Sequence, residues 1–406
     1  MAQEYGDNRV EEQAVGHGGA MSRRELLDRA RVVVVKVGTQ VLTDDAGKLS
    51  AGRIAALAAQ IARLAGQGRR VILVSSGAIG AGVGRLGLSG RPTELPALQA
   101  CAAVGQPFLM TAWEGAFAPH GMPTAQVLLT ASDFDHRARY LNMRNTLTSL
   151  FELGCVPIIN ENDTTSVAEI RFGDNDTLAA LVAGLVQADL LVLLSGVDGL
   201  FEGDPRLDPQ ARRVDWVPDI DAVMGLAQST KSRLGTGGMR SKLKAARLAV
   251  LSGTAVWLAD GGMDQVLDRL RAGDTVGTLF AARRGTALPA WKRWLGFSAR
   301  PQGSLVLDDG ARKAVLDLGK SLLPIGVAEV QGHFGKGSVV SLRDRQGAEF
   351  ARGLCNFGST ELEKIRGLRT EQIQRVVGVV AYDEAVHRDN LVLTGGDGEP
   401  PVAESP

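Results

Sequence analysis

Two lysines stand where a polyanion could be gathered. Lys36 lies in Lys36-Val37-Gly38-Thr39, at the end of an apolar run. Lys242 closes Gly235-Thr236-Gly237-Gly238-Met239-Arg240-Ser241-Lys242, a glycine-rich turn that leads into a helical pattern. Ligands of open α/β sheets collect beyond the carboxyl ends of the strands, so a Lys there reaches an anion. A glycine-rich turn at a helix N-terminus aims backbone N–H groups and the positive end of the dipole at the same kind of ligand. The turn lacks the G-x4-G-K-[ST] spacing, and so does every other segment of the chain. Read alone, Lys36 could equally be a surface residue at a strand end, while for 235–242 an ordinary loop is the lesser alternative.

Polar clusters follow three further apolar runs. Ser75-Ser76-Gly77-Ala78 and the small residues through Gly82 enter a helix and expose several N–H groups, which suits an anion or simply a tight packed turn. Gly82-x-Gly84-x-x-Gly87 matches the dinucleotide fingerprint by letter but starts eight residues after its strand, too late for that role. Asn160-Glu161-Asn162-Asp163 and Gly173-Asp174-Asn175-Asp176 crowd carboxylates and amides into two loops. One of Asp174, Asn175 or Asp176 could cap a helix starting near Thr177, but a cap needs a single residue. The excess suits hydrogen bonds to an ammonium group, or the organisation of catalytic lysines and Mg²⁺. Ser195-Gly196-Val197-Asp198-Gly199 could wall a nucleotide site or form a plain Asp-Gly turn.

The elements that must hold these loops are legible. Arg31–Val37 contains four consecutive valines, the mark of a strand buried on both faces. Further strands read at Val71–Val74, Thr124–Leu129, Cys155–Ile159, Leu190–Leu194 and Ala255–Leu258. Helical patterns lie at Ala51–Ala65, His136–Leu153, Thr177–Val186 and Met239–Leu251. Strands alternating with helices predict an α/β fold, a mainly parallel sheet sandwiched by helices, over residues 28–282. Residues 1–27 read as a disordered tail, within which Met21 is an alternative start, although order plausibly begins with Glu25–Ala30. Residues 283–300 read as a linker. Short strand-like runs at Ser304–Leu307, Gly326–Val330, Gly337–Leu342 and Val376–Tyr382 predict a small, mostly β barrel or sandwich over 301–393, before a loose tail at 394–406.

Composition narrows the classes. The chain has 406 residues, with 45 Lys plus Arg against 45 Asp plus Glu, and a formal net charge of zero. That length suggests two or three domains. The charge balance removes the simplest case for a nucleic-acid or membrane-surface partner. Residues 300–390 alone carry thirteen basic and twelve acidic side chains, where a phosphate-tracking surface should be basic. Three Cys far apart predict neither a disulfide scaffold nor a zinc cluster, and fit a reducing cytoplasm. No run resembles an export signal or a membrane span.

In this order, the motifs resemble the amino-acid kinase superfamily. More narrowly they resemble the glutamate 5-kinase family, over about residues 31–393. Ser321-Leu322-Leu323-Pro324-Ile325-Gly326 and Gly332-His333-Phe334-x-x-Gly337 look like the PUA domain that many bacterial members carry. The resemblance implies ATP-dependent phosphorylation of the γ-carboxylate of L-glutamate with Mg²⁺, the first step of proline synthesis. It implies a cytoplasmic homo-oligomer inhibited by proline. It places ATP phosphates on Lys36 and Lys242, and the nucleotide on Ser195, Gly196, Thr236, Gly237, Gly238, Met239, Arg240 and Ser241. Glutamate falls to Ser76, Asp163 and Asn175, and Asp176 takes an organising role. No protein metal ligand is assigned. A carboxylate is already an anion near neutral pH and needs no strong base, which fits five His, none inside the lysine, serine, amide–carboxylate and glycine-rich motifs of the first unit. Another acceptor within the superfamily, or an RNA-binding role through the PUA domain, is the competing expectation.

Overall fold

The computed structural model describes residues 23–44, 48–130, 133–134, 137–165, 175–205, 207–229, 238–282, 292, 295–296, 299–369, 372–373 and 383–394. The chain order is α1 (Arg23–Arg29), β1 (Val32–Val37), α2 (Thr39–Leu42), α3 (Ala51–Ala65), β2 (Arg70–Ser75), α4 (Ala78–Arg85), α5 (Leu95–Phe117) and β3 (Thr124–Leu129). Next come α6 (Arg137–Glu152), β4 (Val156–Glu161), α7 (Asn175–Val186), β5 (Leu190–Ser195), β6 (Leu200–Phe201), β7 (Arg213–Val214) and β8 (Trp216–Val217). The first unit ends with α8 (Met239–Leu251), β9 (Ala255–Asp260), α9 (Val266–Ala272) and β10 (Thr278–Phe280). Eight strands form one sheet in the order β3-β4-β2-β1-β5-β9-β10-β8. All neighbours are parallel except β9 and β10.

The valine run fills the middle of this sheet. Because side chains alternate along a strand, Val33, Val35 and Val37 enter the core built with α3 and α5, while Val34 enters the core on the other face with α7 and α8. Both faces are apolar, so each valine is covered whichever way it points. α3 shows how such cover is made. Ser50 caps it by accepting from the Arg53 N–H, and Ile54, Leu57, Ala58, Ile61 and Leu64 recur at helical spacing on its buried side.

Gly82 and Gly105 let two helices touch through their backbones. A Cβ on Gly82 would stand 1.8 Å from the Cys101 carbonyl oxygen, and one on Gly105 1.9 Å from that of Ala78. The packing alternative thus accounts for Gly82. Gly105→Ala is expected to cost about 3 kcal/mol, because backbone rather than a side-chain tip must move. Gly84→Ala, whose Cβ meets nothing within 4 Å, should stabilise α4 by about 0.5–1 kcal/mol. Urea unfolding of the two variants measures the contrast.

The second unit has β11 (Gly303–Leu307), α10 (Asp309–Leu316), β12 (Val327–Gly332), β13 (Val339–Arg343), β14 (Glu349–Cys355), α11 (Ser359–Ile365) and β15 (Val386–Leu393). Its strands form one mixed sheet, β12-β11-β13-β14-β15, around a core of its own. The small, mostly β unit is present, as a five-stranded sheet with two helices among the described residues rather than a barrel or sandwich.

Other boundaries move as well. Helix α1 puts Leu27 into the core, so ordered chain starts before residue 28. Helix α7 begins at Asn175, two residues earlier than expected, so Asn175 and Asp176 are in the helix rather than ahead of it. Of the expected linker, Leu295 and Ala299 are buried in the same apolar cluster as Val339 and Val392. The expected strand Val376–Tyr382, the tails at 1–22 and 395–406, and Gly173–Asp174 lie outside the described residues. Among the described residues, no helix is long and apolar enough to cross a membrane.

Candidate active site

The side-chain alternation that buries the valines also aims Lys36. It shares the parity of Val34, so its ammonium points to the face covered by α7 and α8. Asp176, in the first turn of α7, meets it there. The Lys36 Nζ lies 2.6 Å from Asp176 Oδ1, and Lys242 Nζ, from the first turn of α8, lies 3.0 Å from Oδ2. All three groups are buried, Asp176 to within 1% of full cover. Burial pushes the Asp176 carboxyl upward, but the two ammonium groups more than offset it and hold it below its ordinary value. Two cations on one anion leave the cluster with an excess positive charge. An anion, or a pair of them, is the ligand that completes it.

The cluster sits where the sheet topology opens a crevice. Connections from β1 run toward β2, β4 and β3, whereas β5 and β9 extend the sheet the other way, so the strand order reverses between β1 and β5. Gly38 and Ser195 are at the ends of these two strands, tied by the Gly38 N–H donating to the Leu194 carbonyl at 3.0 Å. Ser195 Oγ is buried with no hydrogen-bond partner among the described residues, and a Cβ on Gly196 would stand 2.9 Å from Gln40 Oε1. Gly238, Met239, Arg240 and Ser241 open α8 beside this crevice. Thr236 and Gly237 lie outside the described residues, and so does Asp174.

A second polar group forms one residue away from Asp176. Asn175 Nδ2 reaches Ser76 Oγ and Asn160 Oδ1, each at 2.9 Å, and the Ser75 carbonyl at 3.3 Å. Asn160 Oδ1 also accepts from the Glu161 N–H at 2.9 Å, and its Nδ2 donates to Gln106 Oε1 at 2.9 Å. Backbone groups at both ends, the Glu161 N–H and the Ser75 carbonyl, therefore set the orientation of each amide. Two valences are left over. The Ser76 oxygen already accepts, so its O–H can donate, while Asn175 Oδ1 can accept. A donor for a carboxylate beside an acceptor for an ammonium suits a free amino acid. Ser75 Oγ accepts from the Trp113 indole at 2.9 Å, which anchors the strand end. Asp163 lies on the turn after β4, at the same edge of the sheet and partly buried.

The structure thus brings Lys36, Asp176 and Lys242 together, and separately Ser76 and Asn175. Sequence reasoning missed Gln106, whose signal was an amide directly after the small apolar run Ala102–Gly105. Among the described residues, no group of three or more His, Cys, Asp or Glu could hold a metal ion. Both Asp176 oxygens face lysines. The described side chains do not build a cage for Mg²⁺.

A model of the amino acid kinase family matches residues 31–260, more than half of the chain. The chain belongs to the amino acid kinase family. The family match contains Lys36, Ser76, Asn175, Asp176 and Lys242, and a PUA domain match follows at residues 303–377. Three relatives carry the description glutamate 5-kinase. That of Caldanaerobacter subterraneus subsp. tengcongensis is 47% identical over 362 residues, covering 89% of this chain and 97% of its own. That of Gloeobacter violaceus is 50% identical, covering 89% and 98%. That of Pseudomonas paraeruginosa is 50% identical, covering 91% and 100%. Within the amino acid kinase family, the likeness to these proteins runs through both units of the chain.

Proposed function

We propose that this chain transfers the γ-phosphoryl group of ATP to the γ-carboxylate of L-glutamate, giving L-glutamyl 5-phosphate and ADP, the first step of proline biosynthesis. The observation that carries the reading is the pairing of successive residues at the start of α7. Asn175 turns to Ser76, on the amino-acid side, and Asp176 turns to Lys36 and Lys242, on the phosphate side. One helix end therefore sets the distance between acceptor and donor. The near full-length likeness to glutamate 5-kinases supports the same substrate pair.

The chemistry needs positioning and charge more than proton transfer. The γ-carboxylate is ionised at neutral pH. One of its oxygens bonds to the γ-phosphorus as the bond to the β,γ-bridging oxygen breaks, and ADP leaves with that electron pair. Lys36, Lys242 and the start of α8 hold the phosphate oxygens against the approaching anion, and a preformed charge array of this kind is the main lever in phosphoryl transfer. Asp176 keeps the two ammonium groups apart and aimed. Ser76 takes the α-carboxylate, and Asn175 with Asp163 takes the α-ammonium. Mg²⁺ brought with ATP would supply further charge neutralisation at the phosphates held by Lys36, Lys242 and the start of α8. Proline offers the same α-carboxylate and an ammonium, so it competes at Ser76 and Asn175. The resemblance to glutamate 5-kinases also implies a homo-oligomer.

ADP release with ATP, Mg²⁺ and a panel of glutamate, aspartate, acetylglutamate and UMP tests the assignment, with hydroxylamine trapping the acyl phosphate. Turnover is expected with glutamate. Turnover with another acceptor and none with glutamate overturns it. For Asn175→Ala, KM for glutamate should rise about tenfold or more, the cost of one hydrogen bond to a charged group, while KM for ATP stays within twofold.

A further inference from the structure

We infer that Gln106, on α5, is a positioning residue for the amino-acid pocket, acting through Asn160 to hold Asn175 and Ser76 in the orientation that binds glutamate. The inference rests on the function proposed above.

Gln106 is more than nine-tenths buried, and only half of its amide is used. Oε1 accepts from Asn160 Nδ2 at 2.9 Å, whereas Nε2 is buried with no hydrogen-bond partner among the described residues. Such an orphan donor is costly and calls for a reason. Rotating the amide does not remove the cost. Asn160 presents Nδ2 to Gln106 because its Oδ1 is committed to the Glu161 N–H and Asn175 Nδ2, so Gln106 must answer with an oxygen. The residue is needed for its acceptor, and the idle N–H₂ comes with it.

The acceptor closes a relay that ends at the substrate. Gln106 adds a hold on the Nδ2 side of Asn160 to the one the Glu161 N–H exerts on Oδ1, and so stiffens the orientation in which Asn175 keeps Nδ2 inward on Asn160 and Ser76. Its Oδ1 is then left to an ammonium, and the Ser76 hydroxyl to a carboxylate. The backbone places Gln106 within reach. A Cβ on its neighbour Gly105 would meet Gly82 N at 2.4 Å as well as the Ala78 carbonyl, so the bare glycine brings α5 onto α4 and toward the end of β4. None of these contacts touches Lys36 or Lys242. The relay should therefore govern the amino acid and leave ATP alone.

Gln106→Met keeps the length of the side chain and removes the acceptor, whereas Gln106→Glu keeps an acceptor oxygen and removes the orphan donor. Steady-state kinetics on the full chain, with melting curves, separates the roles. In Gln106→Met, KM for glutamate should rise about tenfold, and the preference for glutamate over glutarate, which lacks the amino group, should shrink. KM for ATP and kcat should stay within twofold. Gln106→Glu should recover KM for glutamate to within threefold of wild type. A rise below threefold in Gln106→Met, a parallel fall in kcat, failure of Gln106→Glu to recover, or loss of folding in Gln106→Met each overturns the inference. A wild-type chain inactive on glutamate instead overturns the function on which it rests.

Discussion

Lys242→Ala is expected to lower kcat on the order of a thousandfold while the protein still folds. Losing one preorganised charge at a phosphoryl-transfer site typically costs 10²–10³ or more in rate. Among the described residues Lys36 does not substitute for it, because it is already 2.6 Å from Asp176 Oδ1 and cannot cover both oxygens. The fold survives for the same reason. Asp176 keeps one cation, so it is not stranded as a lone buried charge, and the loss of one partner costs about 1–3 kcal/mol. Lys242→Met, which refills most of the volume, should lose the same rate with less stability, separating charge from packing. Turnover of saturated enzyme, read beside a melting curve, decides the matter. A folded Lys242→Ala protein within tenfold of wild-type kcat would remove Lys242 from the phosphate site.

Asp176→Asn is expected to hurt both stability and rate. It leaves two buried lysines facing each other without their shared anion, and breaking a buried pair in this way costs about 3–5 kcal/mol. With the ammonium groups no longer aimed, kcat should fall about a hundredfold or more. The acid dependence carries the signature. The folded carboxyl titrates below its ordinary value, so its contribution is complete above about pH 4 and is lost as pH falls through the folded pKa. The stability gap between wild type and Asp176→Asn should thus be constant at neutral pH and narrow in acid. Urea unfolding from pH 7 down to pH 3 measures it. A gap that widens in acid would mean that Asp176 is not the ionised partner of both lysines.

Much of the first unit is local and therefore readable. Central strands of a parallel sheet are buried on both faces, so the Val32–Val35 run and Leu190–Leu194 appear as unbroken apolar stretches with turn residues after them. Helices α3 and α8 were placed to the residue because their apolar spacing ends at glycine or serine. The second unit was less legible. β14 and β15 read Glu-Phe-Ala-Arg-Gly-Leu-Cys and Val-His-Arg-Asp-Asn-Leu-Val-Leu, and with only part of each strand buried, charged residues and a glycine break the pattern.

By itself, the sequence determined the long strands of the first unit and helices α3, α6, α7 and α8, though not α5, β14 or β15, and it determined that lysines, glycines, amides and carboxylates would gather at the ends of those elements. Those are properties of short stretches of chain, decided by propensity and by the period of the apolar residues. Only the tertiary structure decided that Lys36 and Lys242 share one carboxylate, that Asn175 turns to Ser76 while Asp176 turns to the lysines, and that Gln106 accepts from Asn160. Lys242 and Asp176 are 66 residues apart, and Gln106 and Asn160 are 54 apart. Separations of that size are closed by strand order, side-chain parity and the close approach of α4 to α5. Each of these depends on how whole elements pack, which no local spacing encodes.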